Sequence, residues 1–495
     1  MADRMQRYVR IAGHQPDKRA PAERAADFRE IRDTQGHGEA AEQASRCEQC
    51  GVPYCQVFCP LHNNIPDWLN AVAEGRTDDA YALAQATNNF PEICGRICPQ
   101  DRLCEAKWAC TLEQAEHGTV TIGAVERHIG DTAWDEGWVT PRTPRRETGF
   151  SVAVVGGGPG GLAAAEELRA VGHAVTVYDA HDRLGGLMTY GIPSFKMEKH
   201  VVDRRVELIA AAGVAYRPNT VLGRDVTLAG LRAAHHAVFL AFGAYRARQL
   251  DVPGSGLAGV EKALDFLIDG NRRARGEPAT EHLDAHGRRV VVVGGGDTAM
   301  DCVRTAVREG AARVTCLYRR DRDNMPGSAR EVTAAEEEGV QFLWQAQPEA
   351  VEDVPVEMRE ADATHMHGDG CVDGLRAVLT RLVKPVAGGR ARPEPVPGSA
   401  FTVDADLVIN ALGFEVADPG LSGVQTTSAG TLKVDPRNKE TSLPGVFAGG
   451  DAVRGPSLAV WAIRDGRDAA EGIAKYLGRT YSPELGREPV GEPTS

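Results

Sequence analysis

Aromatic residues make up only 6% of this chain, and no run of about 18 apolar residues occurs in it. That excludes a membrane-spanning helix. Basic charge is also short: 56 lysines and arginines stand against 69 acids, a net charge of -13. Such a balance argues against nucleic acid as the main partner. The opening stretch MADRMQRYVRIAGHQPDKRAPAER is charged throughout and has no apolar centre like that of a secretory signal. The expectation is a soluble, cytoplasmic protein. Without an export signal, a disulfide framework is also disfavoured.

What is present is glycine, 55 of 495 residues, and a tight group of cysteines. A chain of this length exceeds one core and suggests roughly three domains at about 150 residues each. Of its 11 cysteines, all but Cys302, Cys316 and Cys371 fall between Cys47 and Cys110. Residues 1–147 hold those cysteines and no strand–glycine–helix unit. Their stretches IPDWLNAVAEGRTDDAYALAQATNN and TLEQAEHGTVTIGAVERHIGDTAW show apolar residues at three and four, the period of short amphipathic helices. PRTPRRET (141–148) reads as a solvated linker.

Beyond it the composition changes. SVAVVGGGPGGLAAAEELRAVGHAVTVYDA (151–180) is an apolar strand, a glycine turn, an Ala-rich helix and a second strand. In that context G-x-G-x-x-G is a dinucleotide signature. Gly156 allows the sharp turn, Gly158 lets the backbone approach a pyrophosphate, and Gly161 lets helix and strand pack closely. Pro159 opens the helix, whose free N–H groups and partial positive charge would hold that pyrophosphate. Asp179, 23 residues after Gly156, stands where a carboxylate would accept hydrogen bonds from a ribose. The plan recurs in RRVVVVGGGDTAMDCVRTAVREGAARVTCLYRR (288–320), with Gly294, Gly296 and Ala299 in the three glycine places. Its second strand ends in Arg319 and Arg320 instead of an acid, which suits a 2′-phosphate and so NADP(H) over NAD(H). Asp297 and Thr298 begin its helix. Asp297 and Asp301 would stabilise the helix start electrostatically and are not read as catalytic. GNRRARGEPATEHLDAHGRR (270–289) reads as a polar surface connection, and EPVGEPTS as a disordered end.

The cysteines form C-x2-C-x4-C-x3-C-P (Cys47, Cys50, Cys55, Cys59), followed by Cys94, Cys98, Cys104 and Cys110. A closing Cys-Pro resembles iron–sulfur ligation, where the last thiolate of a run often serves another cluster. Zinc is the competitor, but structural zinc usually shows two C-x2-C pairs, and only one occurs here.

Two nucleotide units resemble the flavoprotein disulfide-reductase plan. LAFGA (240–244) and INALGF (409–414) look like its paired crossings, and GVFAGGDAVRG (445–455), with Gly450 and Asp451, like its closing flavin motif. RLGGLMTYGIP (183–193), with Gly185, Gly186 and Leu187, resembles the loop beside the isoalloxazine. The C-x4-C dithiol of those reductases is absent after the first unit, so electrons need another exit.

Along nearly its whole length the chain resembles the small-subunit family of NADPH-dependent glutamate synthases. The match lies in CEQCGVPYCQVFCPLHNNIPDWL, NNFPEICGRICPQDRLCE, GGGDTAMDCVRTA, YRRDRDNMPGSAREV and AVWAIRDGRDAAEGI. A wider group, including the N-terminal part of dihydropyrimidine dehydrogenase, shares the cysteine and dinucleotide motifs. The resemblance implies an α/β fold of two Rossmann-like domains, the NADPH domain inserted in the FAD domain, behind an α-helical iron–sulfur domain. The implied boundaries are 1–147 for two 4Fe-4S clusters, 148–253 and 415–481 for FAD, 254–414 for NADPH, and 482–495 for a tail. One cluster would take Cys47, Cys50, Cys55 and Cys110. The other would take Cys59, Cys98, Cys104 and Glu126; counting thiols alone would put Cys94 in place of Glu126. The family spaces its last two cysteines as C-x3-C, whereas EAKWA separates Cys104 from Cys110 here. A surface bulge absorbs two residues at little entropic cost.

The implied activity is electron input: oxidation of NADPH, hydride transfer to FAD, and single electrons passing through two clusters. They would reach a large (α) subunit that carries FMN and makes glutamate from glutamine and 2-oxoglutarate, in a hetero-oligomer. No acid–base residue is required; Lys196 would stabilise a reduced flavin, although a hydrated surface lysine is the plainer expectation. The alternatives are a related reductase module serving another acceptor and a zinc-stabilised interaction protein.

Overall fold

A computed structural model describes residues 6–278, 280–353, 371–383, 391–417 and 420–481. The tail expected at 482–495 lies outside the described residues. The apolar runs found in the sequence become two five-stranded parallel sheets. The first orders β15-β4-β1-β2-β3, using β1 (Ser151–Val155), β2 (Ala174–Tyr178), β3 (Ala215–Arg217), β4 (Ala237–Leu240) and β15 (Val446–Ala448). The second orders β6-β13-β7-β8-β9, using β6 (Val260–Lys262), β7 (Arg289–Val293), β8 (Arg313–Tyr318), β9 (Gln341–Trp344) and β13 (Leu407–Asn410). Central strands such as β1 and β7 are unbroken valine-rich runs because helices cover both faces. Each sheet thus takes its outer or central closing strand from late in the chain.

The second unit carries an antiparallel sheet that the sequence does not announce: β10 (Ala346–Asp353), β11 (Val372–Val383) and β12 (Arg392–Asp404). The two crossing segments meet as a short ribbon, β5 (Arg246–Ala247) against β14 (Phe414–Glu415). Arg248 N donates to Gly413 O at 3.0 Å, and Asn410 Nδ2 donates to Arg248 O at 2.8 Å. The polar connection expected at 270–289 is only partly one. Residues 270–274 finish the helix Ala263–Ala274, and buried Asn271 donates to Tyr190 O at 2.9 Å. A polar composition hid these contacts because they are made by hydrogen bonds.

The N-terminal region is helical, with strand pairing limited, among the described residues, to a bridge between Lys18 and Arg32. The first periodic stretch splits into Ile65–Ala73 and Thr77–Thr87, broken at Gly75 with φ +75°. Helices Pro91–Ile97 and Ile122–Asp135 cross in near contact. A Cβ on Gly95 would lie 2.4 Å from Arg127 N, and one on Gly130 2.6 Å from Glu92 N. That crossing brings Cys94 and Glu126 toward each other. Glu92, wholly buried, forms a two-pronged ion pair with Arg205 of the first nucleotide unit, both contacts 2.9 Å. Arg205 also lies over the Trp134 ring, 5.0 Å from its centroid.

Candidate active site and thiol groups

The two glycine turns share a division of labour. In the first, Gly156 has φ +104°, and a Cβ there would stand 2.3 Å from Ala241 O; one on Gly161 would stand 1.8 Å from Gly156 O. In the second, a Cβ on Gly294 would stand 2.4 Å from Ala411 O. The middle glycines are different: around Gly158 nothing lies closer than 3.9 Å, and around Gly296 nothing lies within 4 Å. The outer glycines therefore serve the turn and its packing, while the middle ones leave open room for a ligand.

One cavity of about 700 Å³ runs past the first glycine turn and the start of the second unit's helix. Its walls include Gly156, Gly158, Pro159, Asp179, Gly186, Leu187, Gly450 and Asp451, eight of the residues expected at the flavin. Gly161 and Gly185 stand back from it; a Cβ on Gly185 would press on Thr189 Oγ1 at 2.1 Å. Both Asp179 oxygens already accept from backbone: Oδ2 from Gly157 N at 2.6 Å and Oδ1 from His181 N at 2.8 Å. Asp451 Oδ1 accepts from Ser457 N at 3.1 Å and from its hydroxyl at 2.8 Å, and burial raises this carboxyl above its ordinary range.

From the second unit, Asp297 and Thr298 reach the wall, whereas Gly294, Gly296, Ala299, Arg319 and Arg320 do not. The guanidinium groups of Arg319 and Arg320 make no ion pair with the described residues, and Arg320 Nε is buried without a partner. Lys196 is on the wall too, but not as a hydrated lysine. Its Nζ pairs with Asp301 Oδ1 at 3.0 Å and lies 3.6 Å from Glu331 Oε2. Burial by itself would lower this amine, yet the two carboxylates outweigh it and hold it above its ordinary range. In turn burial lifts Asp301 to about 6 despite the lysine. Spacing alone gave no sign of this inter-unit pair. Buried Lys199, unremarked in the sequence, donates to the carbonyls of Met188 and Ile192, and burial pushes it down to about 7.

Cys98 and Pro99 line the same cavity. The thiols fall into two groups. Cys47, Cys50, Cys55 and Cys110 line a second, small cavity. The extra residues before Cys110 form a turn, closed by Ala109 N on Ala106 O at 2.8 Å. That turn leaves Trp108 54% exposed and edge-on to Phe58, ring centroids 6.4 Å apart. Cys59, Cys94, Cys98, Cys104 and Glu126 form the other group, close enough that their charges influence one another. Glu126 Oε1 accepts from Asn63 Nδ2 at 3.1 Å and Asn88 Nδ2 at 3.0 Å, and burial lifts its carboxyl to about 8. Cys94 Sγ lies 3.7 Å from Asn88 Oδ1. Burial pushes Cys47, Cys55 and Cys59 up to about 12, so as bare thiols they are inert; metal would hold them as thiolates. Among the described residues no three Cys, His, Asp or Glu side chains converge on a single-ion position. Thiol-rich donors spread around a cavity suit a polynuclear iron–sulfur group better than one zinc ion.

Comparison with known proteins agrees with this division. Residues 24–138 match the family described as dihydropyrimidine dehydrogenase domain II, 4Fe-4S cluster, and residues 150–466 match pyridine nucleotide-disulphide oxidoreductase. The glutamate synthase (NADPH) small chain of Azospirillum brasilense is 58% identical over 481 residues, 96% of either chain. That of Escherichia coli K12 is 43% identical over 487 residues, 96% of this chain and 100% of its own. Among solved structures, Mycobacterium tuberculosis FprA in complex with NADPH superposes with a TM-score of 0.55 at 19% identity, covering 67% of this chain and 85% of that one. The last is a likeness of fold.

Proposed function

Because this chain belongs to the family of NADPH-dependent glutamate synthase small chains, an NADPH-dependent electron-input reductase, we propose that it feeds a large chain that makes glutamate from glutamine and 2-oxoglutarate. The observation that carries the reading is the shared cavity: the first glycine turn, the start of the second unit's helix and Cys98 stand on its walls. Bound there, FAD would supply the two-electron chemistry that NADPH oxidation needs, and iron–sulfur groups would supply one-electron chemistry.

The protein's part is to bind and orient. Gly156, Gly158 and the helix start at Pro159 cradle the FAD pyrophosphate, with Asp179, Gly186, Leu187, Gly450 and Asp451 around the rest. Gly294, Gly296, Asp297, Thr298 and Ala299 form the NADPH cradle. Cys47, Cys50, Cys55 and Cys110 hold one 4Fe-4S cluster; Cys59, Cys98, Cys104 and Glu126 hold the other. Lys196 acts by joining the flavin loop to the second unit through Asp301 and Glu331. The units are taken as 1–147, 148–253 with 415–481, and 254–414. The docking side is the cysteine-bearing region, since electrons leave there, and Phe58 and Trp108 of that region stand exposed and edge-on to each other.

The guanidiniums of Arg319 and Arg320, which make no ion pair among the described residues, answer the 2′-phosphate. Replacing both with alanine should raise KM for NADPH roughly 10- to 100-fold, the worth of one or two charge-assisted hydrogen bonds, and leave KM for NADH unchanged. Equal losses with both nucleotides in steady-state assays would assign the arginines to structure instead.

The proposal itself is tested by purifying the chain without oxygen, measuring flavin, iron and acid-labile sulfide, and adding a glutamate synthase large chain. NADPH oxidation should then depend on glutamine plus 2-oxoglutarate, with cross-links on the cysteine-bearing region. A coloured, active reductase that ignores the large chain would mean another acceptor. A colourless protein would mean that the redox reading is wrong.

A further inference from the structure

The second nucleotide cradle begins with a difficulty. Where the first helix opens Gly158-Pro159, the second opens Gly296-Asp297, placing a carboxylate at the end where a pyrophosphate would sit. Two anions so close repel unless one is neutralised. In the structure Asp297 is bound on both oxygens. Oδ1 accepts from Ser328 N at 2.8 Å, and Oδ2 accepts from Arg102 Nη2 at 2.8 Å. Arg102 is not part of the nucleotide unit. It lies in the cysteine-bearing region, between Cys98 and Cys104, in the short turn Gln100–Arg102.

Its second arm is also engaged. Arg102 Nη1 donates to Pro326 O at 2.7 Å, and the loop it holds sits over the glycine turn, Gly327 N donating to Gly295 O at 2.9 Å. Flanking contacts repeat the pattern: Ser328 Oγ donates to Asp101 Oδ2 at 3.3 Å, and Arg330 pairs with Glu105 at 2.7 Å. Arg102 and Asp297 are each 39% exposed, so the pair remains within reach of a ligand.

We propose that Arg102 is a positioning residue of the nicotinamide-nucleotide site, supplied by the iron–sulfur region, which neutralises Asp297 and holds the 326–328 loop over the pyrophosphate cradle. This rests on the reading of the second glycine turn as the NADPH site. Arg102 acts through Asp297 and through the loop, and it contacts no reacting atom. The consequence is that binding of the diphosphate nucleotide, irrespective of its 2′-phosphate, depends on a side chain carried between two cluster ligands.

The test titrates oxidised, cofactor-loaded protein with NADP+ and with NAD+ under argon. Arg102→Ala should weaken both nucleotides by on the order of tenfold, with Arg102→Lys recovering most of the loss. In NADPH-dependent ferricyanide reduction KM should rise while kcat holds. Adding Asp297→Asn to Arg102→Ala should restore binding, because the repulsive charge is gone while the amide oxygen still accepts from Ser328 N. Binding by Arg102→Ala within twofold of wild type overturns the proposal, as does a double variant no better than the single one. A wild-type protein that binds neither nucleotide would instead overturn the site assignment beneath it. Should Arg102→Ala lose flavin or iron, hydrogen exchange on the unaltered protein decides: NADP+ should slow amides 100–105, and protection confined to 294–299 refutes the role.

Discussion

Cys110→Ser is expected to cost the protein about half its iron and acid-labile sulfide and to slow electron delivery to a protein acceptor by on the order of a hundredfold. Cys94→Ser should leave both near the wild-type level. The contrast follows from where the two thiols sit. Cys110 shares a cavity with Cys47, Cys50 and Cys55 despite the two extra residues before it, which turn outward at Trp108. Cys94 shares Asn88 with a carboxylate that is already held in place: two asparagine amides grip Glu126 Oε1 on helix Ile122–Asp135. Glu126→Gln should accordingly disturb the second centre where Cys94→Ser does not. If Cys94→Ser loses the iron and Glu126→Gln keeps it, thiol counting was right and the family pattern does not hold here. Flavin content serves as the internal control, because neither residue lines the large cavity.

Glu92→Ala should destabilise the whole chain by about 3 kcal/mol, because it removes both hydrogen-bonded contacts of a buried guanidinium and leaves it only Glu166, 3.9 Å away, as a carboxylate partner. Arg205 is 1% exposed and Glu92 not at all, so solvent cannot take the place of the missing partner. The loss should appear as a large fall in the denaturant midpoint, with the cysteine-bearing helices loosening from the flavin unit together. The paired replacement Glu92→Leu with Arg205→Met should recover part of it, since it removes both charges and fills the volume while Glu166 keeps its hydrogen bond from Asn89. A fall below about 1 kcal/mol for the single variant would show that water reaches the pair.

What was legible in the chain was local and periodic. Both glycine turns could be read because strand, turn and helix are consecutive, and because a turn that rejects a Cβ must be written as glycine. The thiol spacing was legible for the same reason. Contacts between distant segments were not. Lys196 looked like a surface residue because its partners, Asp301 and Glu331, come from helices far along the chain. Arg102 and Glu105 lay in full view inside CPQDRLCE, yet a spacing argument assigns roles to the cysteines and is silent on what stands between them. Gly466, inside AVWAIRDGRDAAEGI, has a wholly tertiary reason: a Cβ there would lie 2.1 Å from Gly160 O where two helices cross. The antiparallel β10–β12 sheet was missed because its strands carry polar and proline residues, as in RPEPVPGSAFTVD of β12.

The order of the strands has a consequence for how such a chain is born. A ribosome releases β13 before β15, so the inserted sheet can be completed while the sheet begun earlier still lacks its outermost member. Until Val446–Ala448 emerges, β4 presents an unpaired margin of backbone N–H and C=O groups, the kind of surface on which nascent chains aggregate. Assembly therefore proceeds from the inside outward, and the nucleotide unit whose code is read first is the last to be sealed.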